Sequence, residues 1–73
     1  MSNAEEQMDA ILRILEDQHP HSVAEIASLV NISADEVESF LRFLAKYSIV
    51  TYDEERKTAI IRADFLSLKE VFL

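Results

Sequence analysis

Seventy-three residues with a formal charge of −7, no cysteine and no glycine set narrow limits on this chain. A domain this short buries only roughly 60% of the surface its unfolded form exposes. Lacking cysteine, it has no disulfide, zinc-thiolate site or thiol nucleophile, so packing supplies its stability. No apolar run approaches the roughly 18 residues of a membrane span, and the N-terminus lacks the basic-then-apolar order of a signal peptide, so a soluble, cytoplasmic chain is expected.

In chain order, the same start signal occurs three times, as Ser2-x-x-Glu5, Ser22-x-x-Glu25 and Ser33-x-x-Glu36. Each can form a capping box, the serine hydroxyl accepting an orphan amide of the first turn while the glutamate reaches back to the cap amide. The first helix is expected over about 3–17, with Met8, Ile11, Leu12 and Leu15 inward and Glu6, Asp9, Arg13 and Glu16 in solvent. Pro20 removes a donor and pushes His19 out of helical conformation, so "QHPH" is expected to be a loop. His19 and His21 form a His-x-His pair, but two imidazoles alone do not complete a tetrahedral site, and no metal is expected.

The second helix is expected over 23–30, presenting Val23, Ile26, Ala27 and Val30 inward. Asn31 follows as the residue best suited, after glycine, to a left-handed turn between helices. Ile32 plugs that turn, Ser33 caps the third helix (about 34–47), and Val37, Phe40, Leu41 and Leu44 continue the buried stripe. Past Lys46 the apolar period changes from 3.6 to 2. "SIVTY" and "TAIIR" flank the polar "DEERK", which predicts a hairpin over about 49–62. In the last stretch, "ADFLSLKEVFL", Asp64 can cap a helix over about 64–73 that puts Phe65, Leu68 and Phe72 on one face, flanked by Leu66, Val71 and Leu73. A core already filled by three helices does not readily bury six more large apolar side chains, so this face is expected to meet another chain or a further part of a larger protein.

The charge is polarised along the chain. Residues 1–39 hold nine acids and one base, whereas 40–73 hold five acids and six bases, and Arg42, Lys46, Arg56, Lys57 and Arg62 could form a basic stripe if the fold assembles them. No Gly-rich phosphate loop is present, nor any Ser spaced beside a base and its orienter, so neither an enzyme nor a cofactor is expected.

Three helices followed by a hairpin is the order of a winged helix. The string Ile26-Ala27-x-x-Val30-Asn31-Ile32-Ser33-x-x-x-Val37-x-x-x-Leu41-x-x-Leu44, followed by Lys46-Tyr47-Ser48-Ile49-Val50, resembles winged helix-turn-helix proteins of the small bacterial and archaeal transcription-regulator type. The resemblance covers about residues 8–62. It implies a single α+β, mainly α domain over 1–73: a three-helix bundle with a β-hairpin wing and a short C-terminal helix. It also implies that the solvent face of residues 34–46 meets double-stranded DNA, with the hairpin tip at the backbone or minor groove. The contact residues would be Ser39, Arg42, Lys46, Arg56 and Lys57. Ala34, Asp35, Glu36 and Glu38 stand where such proteins usually carry Ser, Thr, Gln, Arg or Lys, and Ser48 stands where they usually carry Gly. Glu36 is expected to serve its cap, and Glu38 to pair with Arg42 one turn on. A homodimer is expected through Ile14, Phe65, Leu68 and Phe72, since helices outside the reading motif commonly form the dimer contact in this family. The alternative is a winged helix that does not bind DNA and serves as an assembly module, docking a protein through its acidic helices or its C-terminal apolar face.

Overall fold

The structure, a computed structural model, describes residues 3–72 and the side chains of 3–67. Helix α1 spans Ala4–Leu15. Its cap is Asn3, whose side chain accepts the Glu6 amide at 2.9 Å. This is one residue later than the Ser2 box expected, and Asn and Ser cap comparably. Ile11 and Leu15 are fully buried, with Met8, Leu12 and Ile14 half-buried against the core. The helix closes through Gln18 in the left-handed region (φ 65°), its amide donating to the Leu15 carbonyl at 3.0 Å.

The segment expected to be a plain loop contains a strand. β1, His21–Ser22, pairs antiparallel with a later strand, His21 opposite Ala59 and Ser22 opposite Thr58. Two residues carry no readable period, and the pairing is long-range, so nothing local announces it. Ser22 also caps α2, Val23–Val30, accepting the Glu25 amide at 3.0 Å. Asn31 ends α2 in the left-handed conformation (φ 59°, ψ 46°), donating its amide to the Ala27 carbonyl. Ser33 caps α3, Ala34–Lys46, accepting the Glu36 amide at 3.1 Å and donating its hydroxyl to the Glu36 carboxylate at 3.2 Å. Val37, Leu41 and Leu44 are buried.

Ser48 then takes a positive φ of 61°, which a glycine would adopt with less strain. It turns the chain so that the Ile49 amide reaches the Leu44 carbonyl at 2.9 Å. β2 (Val50–Asp53) and β3 (Thr58–Ile61) form the wing, with Val50 opposite Ile61 and Tyr52 opposite Ala59. Asp53 organises the loop by accepting the amides of Glu55 and Arg56 at 3.0 and 3.1 Å, an Asx turn. The sheet order is β1-β3-β2, so β3 is central and the wing has a third strand that the expected hairpin lacked. Val50, Ala59 and Ile61 point into the core, while Thr51 and Ile60 face outward. α4 runs Ala63–Phe72, so Asp64 lies inside its first turn rather than capping it and pairs with Arg62 at 3.1 Å. That ion pair holds the Asp64 carboxyl below its ordinary range.

The core is the meeting place of α1, α2, α3 and the wing, centred on Ile11, Leu15, Ile26, Val37, Leu41 and Leu44. Each such side chain contributes about 1.5–3 kcal/mol by burial. The architecture is an α+β winged helix-turn-helix. The turn at Asn31 sets α3 across α2, and the Ser48 turn lays the wing beside α3.

Candidate nucleic-acid interface

α3 is amphipathic, so its core stripe dictates what faces solvent: Asp35, Ser39, Arg42 and Lys46 are all exposed. Glu38, on the flank beside the wing, is the organising residue. Its carboxylate accepts from Tyr52 Oη at 2.6 Å and from Lys57 Nζ at 2.6 Å, and lies 3.5 Å from the Arg42 guanidinium. The side chain is only 19% exposed. Hydrogen bonds from Lys57 and Tyr52, with the nearby Arg42 charge, hold its carboxyl below the ordinary value. Burial, reinforced by the bond to Glu38, pushes the Tyr52 hydroxyl up to about 12.

Arg42 reaches past Glu38 to the wing loop, where Nη2 meets Glu54 at 2.6 Å and Nε meets the same oxygen at 3.1 Å. The Glu54 bond raises its pKa further above the ordinary value. Lys57 owes its position to the backbone. It sits at φ 56°, and its carbonyl takes the Val23 amide at 2.8 Å, tying the wing loop to the start of α2. Arg56, 84% exposed, lies 3.9 Å from Asp53. Lys46 lies 5.8 Å from the centroid of the exposed Tyr47 ring, a cation–π contact.

The structure therefore sets Arg42 and Lys57 together on the Glu38 clamp, with Arg56 on the wing loop and Lys46 one turn beyond Arg42 on α3. Lys57, expected as a wing contact, bridges from the wing loop to Glu38 on α3. Ser39 borders a different feature, the groove between α3 and α1. Of the expected dimer residues, Ile14 and Phe65 are half-buried against the domain's own core, as is Leu66. The side chains of Leu68 and Phe72 lie outside those described. Tyr52 and Glu54 are site residues that sequence reasoning missed. Their partners lie fourteen and twelve positions away, and no local spacing marks such pairs.

His21 forms a second charged node on β1, the edge strand opposite β2. Its Nε2 faces Asp17 at 2.9 Å and its Nδ1 faces Glu25 at 3.0 Å, with the ring 13% exposed. Burial opposes the imidazolium, but the bonds to Asp17 and Glu25 outweigh it and the pKa is raised above 6.5. Asp17 is held low by the His19 amide first and then by His21. A folded-state pKa above the unfolded one means that the stabilisation is fully present below about 6.5 and is lost as pH rises through the folded value. The urea midpoint should therefore fall on going from about pH 6 to pH 8.5, and His21→Gln should flatten that dependence. An unchanged slope in the variant would show that His21 is not the linked group.

Among the described residues no helix is long and apolar enough to cross a membrane, and no group of three or more His, Cys, Asp or Glu side chains could hold a metal ion. No protein-family model matches the chain, and no curated protein matches it. The fold is similar to the solution structure of the Zβ domain of human DAI, a structure described together with that domain's binding modes to B- and Z-DNA. The TM-score is 0.69 at 22% identity, over 84% of this chain and 90% of that one.

Proposed function

We propose that this winged helix binds double-stranded DNA in a transcription-regulator-like role, laying the outer face of α3 along the duplex and touching its backbone with the wing. The supporting observation is the Glu38 clamp, which joins α3 and the wing into one continuous edge bearing Arg42, Lys46, Arg56 and Lys57. A domain of similar fold is described with its binding modes to B- and Z-DNA. Solvent-exposed ion pairs such as Arg42–Glu54 and Arg56–Asp53 contribute little because water screens them, so a phosphate can displace the carboxylate partner at little cost. Ser39, Arg42 and Lys46 are the proposed groove contacts, and Arg56 and Lys57 the wing contacts. Two copies meeting through Ile14, Phe65, Leu68 and Phe72 would present two α3 helices to half-sites about one helical turn apart.

A second reading is favoured by one observation. Arg42, Arg56 and Lys57 each already face a carboxylate in a chain of charge −7, which suits an assembly module that binds protein instead.

Duplex titration across a salt series separates the two. With four phosphate contacts the log–log salt slope should be about −3 to −4 per protomer. Random-sequence duplex and a left-handed alternating dC/dG duplex should be compared in the same titration. Absence of binding to either at low salt would select the assembly module.

A further inference from the structure

The outer stripe of α3 is ordered by charge. Asp35, Ser39, Arg42 and Lys46 recur at spacings of four, three and four, so they share one face of the helix, with the acid in its first turn and the two cations in its second half. The other acids of this helix are engaged, Glu36 by the Ser33 cap and Glu38 by Lys57, Tyr52 and Arg42. The Asp35 side chain is exposed, and among the described residues it has no hydrogen-bond or ion-pair partner. It borders a hollow that Ala24 and Ala34, both small and exposed, line together with Lys57 of the wing loop. The two alanines leave the carboxylate open to an approaching group.

We infer that Asp35 is a specificity-determining residue that reads one cytosine of a duplex by accepting from its N4 amino group. The inference rests on the proposed DNA reading, in which the N-terminal residues of the second helix of the motif meet base edges in the major groove. Along that axis the charge order fits, because Arg42 and Lys46 suit phosphates while the carboxylate must go where the duplex offers donors.

An ionised carboxylate accepts and cannot donate. Phosphates, the O6 and N7 of guanine and the O4 of thymine are all acceptors and repel it, so only the amino groups of cytosine and adenine suit it. Adenine presents its amino group beside the N7 acceptor, which opposes a carboxylate. Cytosine presents N4 with no acceptor of its own on that edge. Asp35 therefore adds little to affinity, since it also repels the phosphates, and acts through the difference between one base pair and the other three.

The test is selection from a random-sequence duplex library by the full chain, followed by titration of one selected duplex carrying each of the four base pairs at the assigned position. The parent should select cytosine at one fixed position and bind that duplex about tenfold more tightly than the other three. Asp35→Ala should bind all four alike, and should bind random-sequence duplex more tightly at low salt because an acid near the phosphates is gone. Asp35→Asn should move the preference from cytosine to adenine, whose N6 and N7 match the acceptor and donor of the amide. Asp35 takes no part in the Ser33 cap, so both variants should keep the parent's fold. A purely structural role would not change which base is preferred. Duplex bound without base preference, or a cytosine preference that survives Asp35→Ala, would overturn the assignment and leave the DNA reading standing. Absence of binding to any duplex at low salt would overturn both.

Discussion

Leu41→Ala is expected to leave the domain close to its unfolding threshold. Leu41 is fully buried where α3 meets α1, α2 and the sheet. Truncating a buried leucine costs about 2–5 kcal/mol, whereas a chain of this length holds on the order of 0.05–0.15 kcal/mol per residue in total. The loss is thus a large share of the whole. A urea titration followed by helical circular dichroism should show a midpoint shifted far down, or a missing native baseline. Leu29→Ala supplies the internal comparison. Leu29 is 63% exposed on α2, and its truncation should change stability by less than about 0.5 kcal/mol. Equal effects of the two substitutions would mean that α3 is not seated as described.

The second large effect is a pair of opposite signs on duplex affinity. Arg42→Ala removes a phosphate contact, and should weaken binding and reduce the salt slope by about 0.9. Glu38→Gln removes the acid that holds Arg42, Lys57 and Tyr52, and at low salt should tighten non-specific binding by about threefold to tenfold. The tyrosine titration checks that the clamp has opened. The Tyr52 hydroxyl stands at about 12, first because of burial and second because of Glu38, so Glu38→Gln should lower it only part of the way toward its ordinary value of 10.0. Recording this in a Tyr47→Phe background isolates the Tyr52 signal. Should both variants bind duplex as the parent does, the α3–wing edge does not touch DNA.

The same Glu38 separates what local chemistry announces from what it conceals. Its one-turn pairing with Arg42 is visible in the sequence and is present at 3.5 Å. Its two shorter contacts, to Tyr52 and Lys57, come from the wing, fourteen and nineteen positions away. The acids of α3 therefore divide by role. Glu36 serves the Ser33 cap, Glu38 clamps the wing, and Asp35 remains on the outer face. His21 shows the same limit from another side. Asp17, His21 and Glu25 are spaced four apart, but Pro20 breaks the helix that would make such spacing meaningful, and the contacts form because β1 sets the ring between the two carboxylates.

Apolar period, caps and turns were determined by the sequence alone, because each depends on residues within one or two turns of one another. The serine caps at 22 and 33 and the left-handed Asn31 stand where the residue types placed them, and the positive φ at Ser48 falls where the family resemblance puts a glycine. The pairing of β1 with the centre of the sheet, the burial of Phe65 and Leu66 against the domain's own core, and the neutralisation of Arg42 and Lys57 were decided only by the tertiary fold. Burial and charge at a given residue depend on which distant groups the chain brings within a few ångströms. A chain of net charge −7 can thus set Arg42 and Lys57 around one carboxylate between α3 and the wing, a local arrangement that composition averages away.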